Sequence, residues 1–147
     1  MKNILLACFV AATIGALAPA SASAHETTEK VTPAFRQAIP NIPGKSLISV
    51  VVDYAPGAAS RSHVHAKSAF IYAYVLSGAI ESRVDDGPLQ VVHAGESFYE
   101  PPGARHTISR NASKTEPARL LAVFVLDTGD TPLTTPTTST ESSENKP

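Results

Sequence analysis

Two histidines, His63 and His65, sit in the stretch GAASRSHVHAKSAFIYAYVLSG between Gly57 and Gly78. Along an extended strand, residues two apart share a face and lie roughly 7 Å apart. Two imidazoles so placed can converge on one ion, although a bare His-x-His also fits a surface pair. A third histidine, His106, closes the run GESFYEPPGARH. Its Pro101-Pro102-Gly103 turn re-aims the chain into the next strand at a set register, so His106 is held without relying on a flexible loop. Three neutral imidazoles suit a divalent ion and leave positions open for a substrate or oxygen.

The acid nearest this group is Glu100, immediately before Pro101. It alternates with Phe98, so the two side chains share a face. If that face is inward, Glu100 can act as a ligand, as a base, or as a group that orients a histidine. Its place at a strand end puts it near the mouth of a barrel, in reach of a substrate more readily than of an ion. A turn-stabilising or surface carboxylate is the alternative. Phe70, Tyr72, Tyr74 and Tyr99 are expected in the core or pocket. His93 is read as a surface or edge residue, and Arg83 and Arg105 as anion binders or solvated charges.

The segments that carry these residues read as strands. Leu47 to Tyr54 is rich in β-branched residues, and Ala69 to Leu76 is aromatic and apolar up to the break at Gly78. Ala79 to Val84 and Leu89 to His93 flank Asp85-Asp86-Gly87-Pro88, a hairpin signal centred on Asp-Gly. Ser97 to Glu100, Arg105 to Arg110 and Ala118 to Asp127 follow. With the segment around His63, about eight short strands are expected, and no helical period long enough for a core helix interrupts them. An antiparallel all-β sandwich or barrel is the physical solution.

The spacing of the two motifs resembles that of the cupin family. Gly57, His63, His65 and Gly78 match the first motif, G-x5-H-x-H, then three or four residues, Glu, six residues and Gly. Gly95, Pro101, Gly103 and His106 match the second without a gap, and Asn111 falls one place late. The family's glutamate would fall on Ala69 or Phe70 counted from His65, or on Ile71 counted back from Gly78, and none of these can ligate. The resemblance implies a double-stranded β-helix, or jelly-roll barrel. It also implies that His63, His65 and His106 face inward on one divalent ion (iron, manganese, zinc, copper or nickel). Three-histidine cupins include iron dioxygenases. A dimer is implied by the same analogy.

The remainder of the 147 residues bounds the reading. Met1 to Ala24 has one early positive charge, an apolar stretch and an Ala22-Ser23-Ala24 ending, the layout of a cleaved export signal. Its removal takes away the only cysteine, Cys8, which excludes thiolate ligands and disulfides. Loss of Lys2 with it moves the net charge from −1 to about −2. With no basic cluster, a nucleic-acid partner is excluded. Residues 25–46 are read as an irregular arm, 47–128 as the barrel, and 129–147 as a disordered Thr/Ser/Pro-rich tail. The expectation is thus an exported protein, periplasmic or secreted, free of the membrane after cleavage. It would bind a metal and a small molecule and act as a dioxygenase-type oxidoreductase. A non-catalytic ligand-binding barrel and a metal-dependent decarboxylase or isomerase are the alternatives.

Overall fold

The computed structural model describes residues 29–137. The leader read in residues 1–24, His25 and the tail beyond residue 137 lie outside the described residues. Ten strands run in chain order: β1 (Lys30–Ala38), β2 (Lys45–Tyr54), β3 (His63–His65), β4 (Phe70–Ser77), β5 (Ala79–Val84), β6 (Gln90–His93), β7 (Ser97–Glu100), β8 (Arg105–Asn111), β9 (Ala118–Asp127) and β10 (Thr134–Pro136). They form two five-stranded sheets, ordered β1-β2-β9-β4-β7 and β10-β3-β8-β5-β6. All named pairings are antiparallel. This is the expected all-β jelly-roll barrel.

Alternation places the core. Ile48, Val50, Val52 and Tyr54 of β2 face Leu120, Ala122, Phe124 and Leu126 of β9 on the inner side of the first sheet, with Ile71, Ala73 and Val75 of β4 beside them. At this inner layer apolar burial contributes about 25 cal/mol per Å². The sharp reversal from β4 to β5 requires glycine at Gly78: its φ is +71°, and a Cβ there would lie 2.7 Å from the Pro117 carbonyl oxygen. The β5–β6 hairpin turns one residue earlier than the Asp-Gly signal suggests. Asp85 carries the positive φ of 49°, which a short polar side chain tolerates.

Both ends are more regular than expected. The arm forms β1, paired with β2 from Lys30↔Asp53 to Ala38↔Ser46, and the register slips between Pro33 and Phe35. A proline is tolerated there because β1 is an edge strand with an irregularity at that point. All nine residues of β1 are exposed, so the arm carried no alternating pattern to read. At the other end, β10 pairs with β3, Thr134 opposite His65 and Pro136 opposite His63. Leu133 packs on the core, and Thr137 Oγ1 donates to the Ser62 carbonyl at 3.1 Å. One apolar anchor and a few backbone bonds order a segment whose composition alone favours disorder.

Candidate metal centre

Strand β3 is three residues long and is held on both sides. His63 stands directly opposite His106 of β8, so the two rings share a face. His65, two residues on, points the same way. The turn expected between β7 and β8 forms: Ala104 N–H donates to the Pro101 carbonyl at 3.0 Å, and Gly103 has φ +71°. Those are the marks of a type II turn, with proline and glycine at its two central positions. The same turn is stitched to β3, since His65 N–H donates to the Ala104 carbonyl at 2.9 Å. One device therefore sets the depth of both His65 and His106.

The three rings converge. Ring centroids are 4.8 Å apart for His63 and His65, 5.4 Å for His63 and His106, and 6.1 Å for His65 and His106. One donor atom from each lies within 4.8 Å of the others. Neighbouring donors bonded at about 2.1 Å to a single ion lie about 3.0–3.4 Å apart, so ring rotations that close the widest gap by about 1.5 Å complete the set. His65 and His106 are buried and His63 is half-buried. His63 Nδ1 lies 2.7 Å from the Arg61 carbonyl; the N–H donates there and leaves the Nε2 lone pair free. Burial pushes the His63 imidazole below its ordinary pKa. The neighbouring His65 and His106 add to this, against the Arg61 carbonyl. The neutral form that ligates is thereby favoured.

Ser82 of β5 and Glu100 of β7 complete the surroundings. Ser82 Oγ is 2.9 Å from His106 Nε2. Glu100 is buried, 3% exposed, so it does not sit at the mouth as the sequence suggested. Its Oε2 approaches His65 Nε2 at 2.8 Å and His106 Nδ1 at 3.3 Å. These approaches lack hydrogen-bond alignment: both ring nitrogens of His65 and Glu100 Oε2 are buried without a hydrogen-bond partner. Burial alone would push the Glu100 carboxyl up, but the facing nitrogens of His106 and His65 outweigh it and hold it at about 2. Buried polar atoms are nearly always satisfied. A cation held by one His65 ring nitrogen and Glu100 Oε2 would satisfy two of these three atoms, so the residues fit a divalent ion.

The histidines line a cavity of ≈ 400 Å³, walled by Val50, Val52, Leu120, Ala122 and Phe124, with Val31, Arg61 and Pro136 at its exposed end. Tyr54, not singled out from the sequence, also lines it. Its hydroxyl is 2.8 Å from both Ser60 Oγ and Ser109 Oγ, and burial raises its pKa. The aromatic expectation is corrected. Phe70, Tyr72 and Tyr99 are exposed, with Phe70 stacked on Tyr99, and Tyr74 does not line the cavity. The inward parity of β4 belongs instead to Ile71, Ala73 and Val75. His93 and Arg105 are exposed and Arg83 is half-buried, all outside the cavity. Asn111 is structural: its Nδ2 donates to the carbonyls of Ala55 at 3.1 Å and Glu116 at 2.7 Å.

A family model described as cupin domain matches residues 50–124, just over half of the chain. Among solved structures, TT1209 from Thermus thermophilus is 28% identical with a TM-score of 0.53, over 67% of this chain and 84% of that one. The Schizosaccharomyces pombe Cnp3 cupin domain, 24% identical with a TM-score of 0.55 over 68% and 62%, shares the fold. A recombinant oxalate oxidase in complex with glycolate is 25% identical with a TM-score of 0.54. The match covers 74% of this chain and only 55% of that one. No curated protein matches.

Proposed function

This chain belongs to the cupin family, and on that premise we propose that it is an exported protein holding one divalent metal ion on His63, His65 and His106. It would use that ion on a small molecule in the cavity, as an oxidoreductase of the dioxygenase kind. The observation that carries the reading is the convergence of three histidine donors within 4.8 Å in the lining of an apolar-walled cavity. The leader read in residues 1–24 supports export, and the likeness to an oxalate oxidase supports redox chemistry on a small oxygen-rich molecule.

When bound, the ion would supply Lewis acidity and, if iron, manganese or copper, a redox centre. The chain's own residues do the rest. His63 is oriented by the Arg61 carbonyl, and His106 is oriented by Ser82. Val50, Val52, Leu120 and Phe124 keep one side of the cavity apolar. That wall favours a substrate with a chelating pair of oxygens at one end, such as an enol, catechol or β-diketone, and a hydrocarbon body at the other. The test is oxygen consumption by iron- or manganese-loaded protein against a panel of these three classes. Turnover of one class by the parent, and none by His106→Ala, supports the reading. Metal-loaded parent that converts none of them but decarboxylates or isomerises a keto acid would replace it with Lewis-acid chemistry.

A further inference from the structure

The inner face of the first sheet holds one anomaly. Glu100 of β7 stands directly opposite Ile71 of β4; Ile71 stands opposite Phe124 of β9, and Phe124 opposite Ile48 of β2. Cross-strand partners share a face. The row therefore runs Glu100, Ile71, Phe124, Ile48, one carboxylate followed by three buried apolar side chains. Glu100 is the only buried carboxylate among the described residues. A charge taken out of water is costly unless a partner of opposite sign meets it. Among the described residues no lysine or arginine does so; only the nitrogens of His65 and His106 face Glu100 Oε2, without aligned hydrogen bonds, and they alone offset its charge.

We infer that Glu100 is a fourth metal ligand, a carboxylate supplied by β7 in place of the one that β4 lacks. Ile71 is where the family pattern, counted back from Gly78, puts its glutamate, and Glu100 is its cross-strand neighbour on the same inward face. The distances to two of the three histidines lie close to those expected of donors sharing an ion. Neighbouring donors around an ion with bonds of about 2.1 Å lie about 3.0–3.4 Å apart. Glu100 Oε2 lies 2.8 Å from His65 Nε2 and 3.3 Å from His106 Nδ1. Neutral imidazoles and a carboxylate form a mixed nitrogen and oxygen set with net charge −1, which neutralises half of a divalent ion and favours the harder metals over a purely histidine site. Glu100 is thus removed from the pool of free acids or bases for a substrate.

This inference rests on the three-histidine metal reading, and the experiment separates the two. Zn²⁺ affinity is measured by competition with a chromophoric chelator on the parent, Glu100→Gln, His106→Ala and Glu96→Gln, the last an exposed acid preceding β7. Glutamine keeps the volume and removes the charged donor. Loss of a group that merely supports a ligand weakens binding 10–100-fold, so loss of a ligand is expected to weaken it by roughly 100-fold or more. Glu96→Gln should match the parent. An affinity in Glu100→Gln within about threefold of the parent, with His106→Ala strongly weakened, overturns the inference and leaves the three-histidine site standing. A parent that binds no Zn²⁺ overturns both. A crystal of the Zn²⁺-loaded parent gives the answer independently of any variant's folding. An anomalous peak about 2.0–2.2 Å from a Glu100 carboxylate oxygen supports the inference, and a peak bonded to the histidines with that oxygen beyond bonding distance overturns it.

Discussion

Removing a single hydroxyl, Ser82→Ala, tests how the site is held. Ser82 is 3% exposed and its Oγ lies 2.9 Å from His106 Nε2. When the ring N–H donates to Ser82, the lone pair on Nδ1 is free for an ion; without metal the Nδ1 N–H can face Glu100 instead, with Ser82 donating to Nε2. In either state alanine leaves a buried ring nitrogen without a partner, at a cost of about 1–3 kcal/mol. In a domain of this size that lowers Tm by roughly 4–8 °C per kcal/mol. The imidazole also loses the group that fixes its tautomer and ring angle, and partners of this kind are worth 10–100-fold in metal affinity, about 1.4–2.7 kcal/mol. The assay is competition for Zn²⁺ with a chromophoric chelator, at a temperature where both proteins are folded, beside thermal unfolding of the metal-free forms. Ser97→Ala, at an exposed position of β7, is the control and should stay within about 0.5 kcal/mol of the parent. An affinity for Ser82→Ala within twofold of the parent would refute the reasoning, because the ring would then need no help from β5.

Two further outcomes follow from the same geometry. The Glu100 carboxyl is held at about 2 against an ordinary 4.5, so its ionised form stabilises the fold. That contribution is complete above about pH 4.5 and disappears as the pH falls towards 2. Metal-free parent should therefore lose stability more steeply across this window than Glu100→Gln, as read by urea unfolding in chelator; parallel curves would contradict it. Tyr54→Phe removes two hydroxyl contacts of 2.8 Å and strands the buried Ser109 hydroxyl. Its denaturation midpoint should fall by the equivalent of about 1–3 kcal/mol, and a change below about 0.5 kcal/mol would show that Ser60 and Ser109 satisfy each other without it.

What the sequence revealed follows a physical division. Local periodicity and turn chemistry are written in neighbouring residues, so the strands from Leu47 to Asp127 and the Pro101-Pro102-Gly103 turn were legible. The common face of His63 and His65 follows from a two-residue period. Partners brought together by pairing between distant strands were not legible. Glu100 was seen to share a face with Phe98, but its depth depends on pairing with Ile71, twenty-nine positions earlier. The aromatic residues misled because both parities of Phe70 to Leu76 are apolar, and only the opposing sheet decides which one turns inward. Strand β1 escaped notice because an exposed edge strand needs no alternation, and β10 because backbone pairing with β3, rather than side-chain burial, holds it.

The most direct test of the metal centre is its stoichiometry. Protein purified from its native compartment, and again after equilibration with Zn²⁺ and removal of excess, is measured by elemental mass spectrometry. The parent and His93→Ala, whose ring is exposed and outside the cavity, should each carry one ion per chain. The double variant His63→Ala with His65→Ala should carry none while keeping the β-rich circular dichroism of the parent, since the core is apolar sheet packing and metal adds only linkage stability. His106→Ala should be strongly depleted. A parent that stays empty, or a His106→Ala protein as fully loaded as the parent, would contradict a metal centre built on these three histidines.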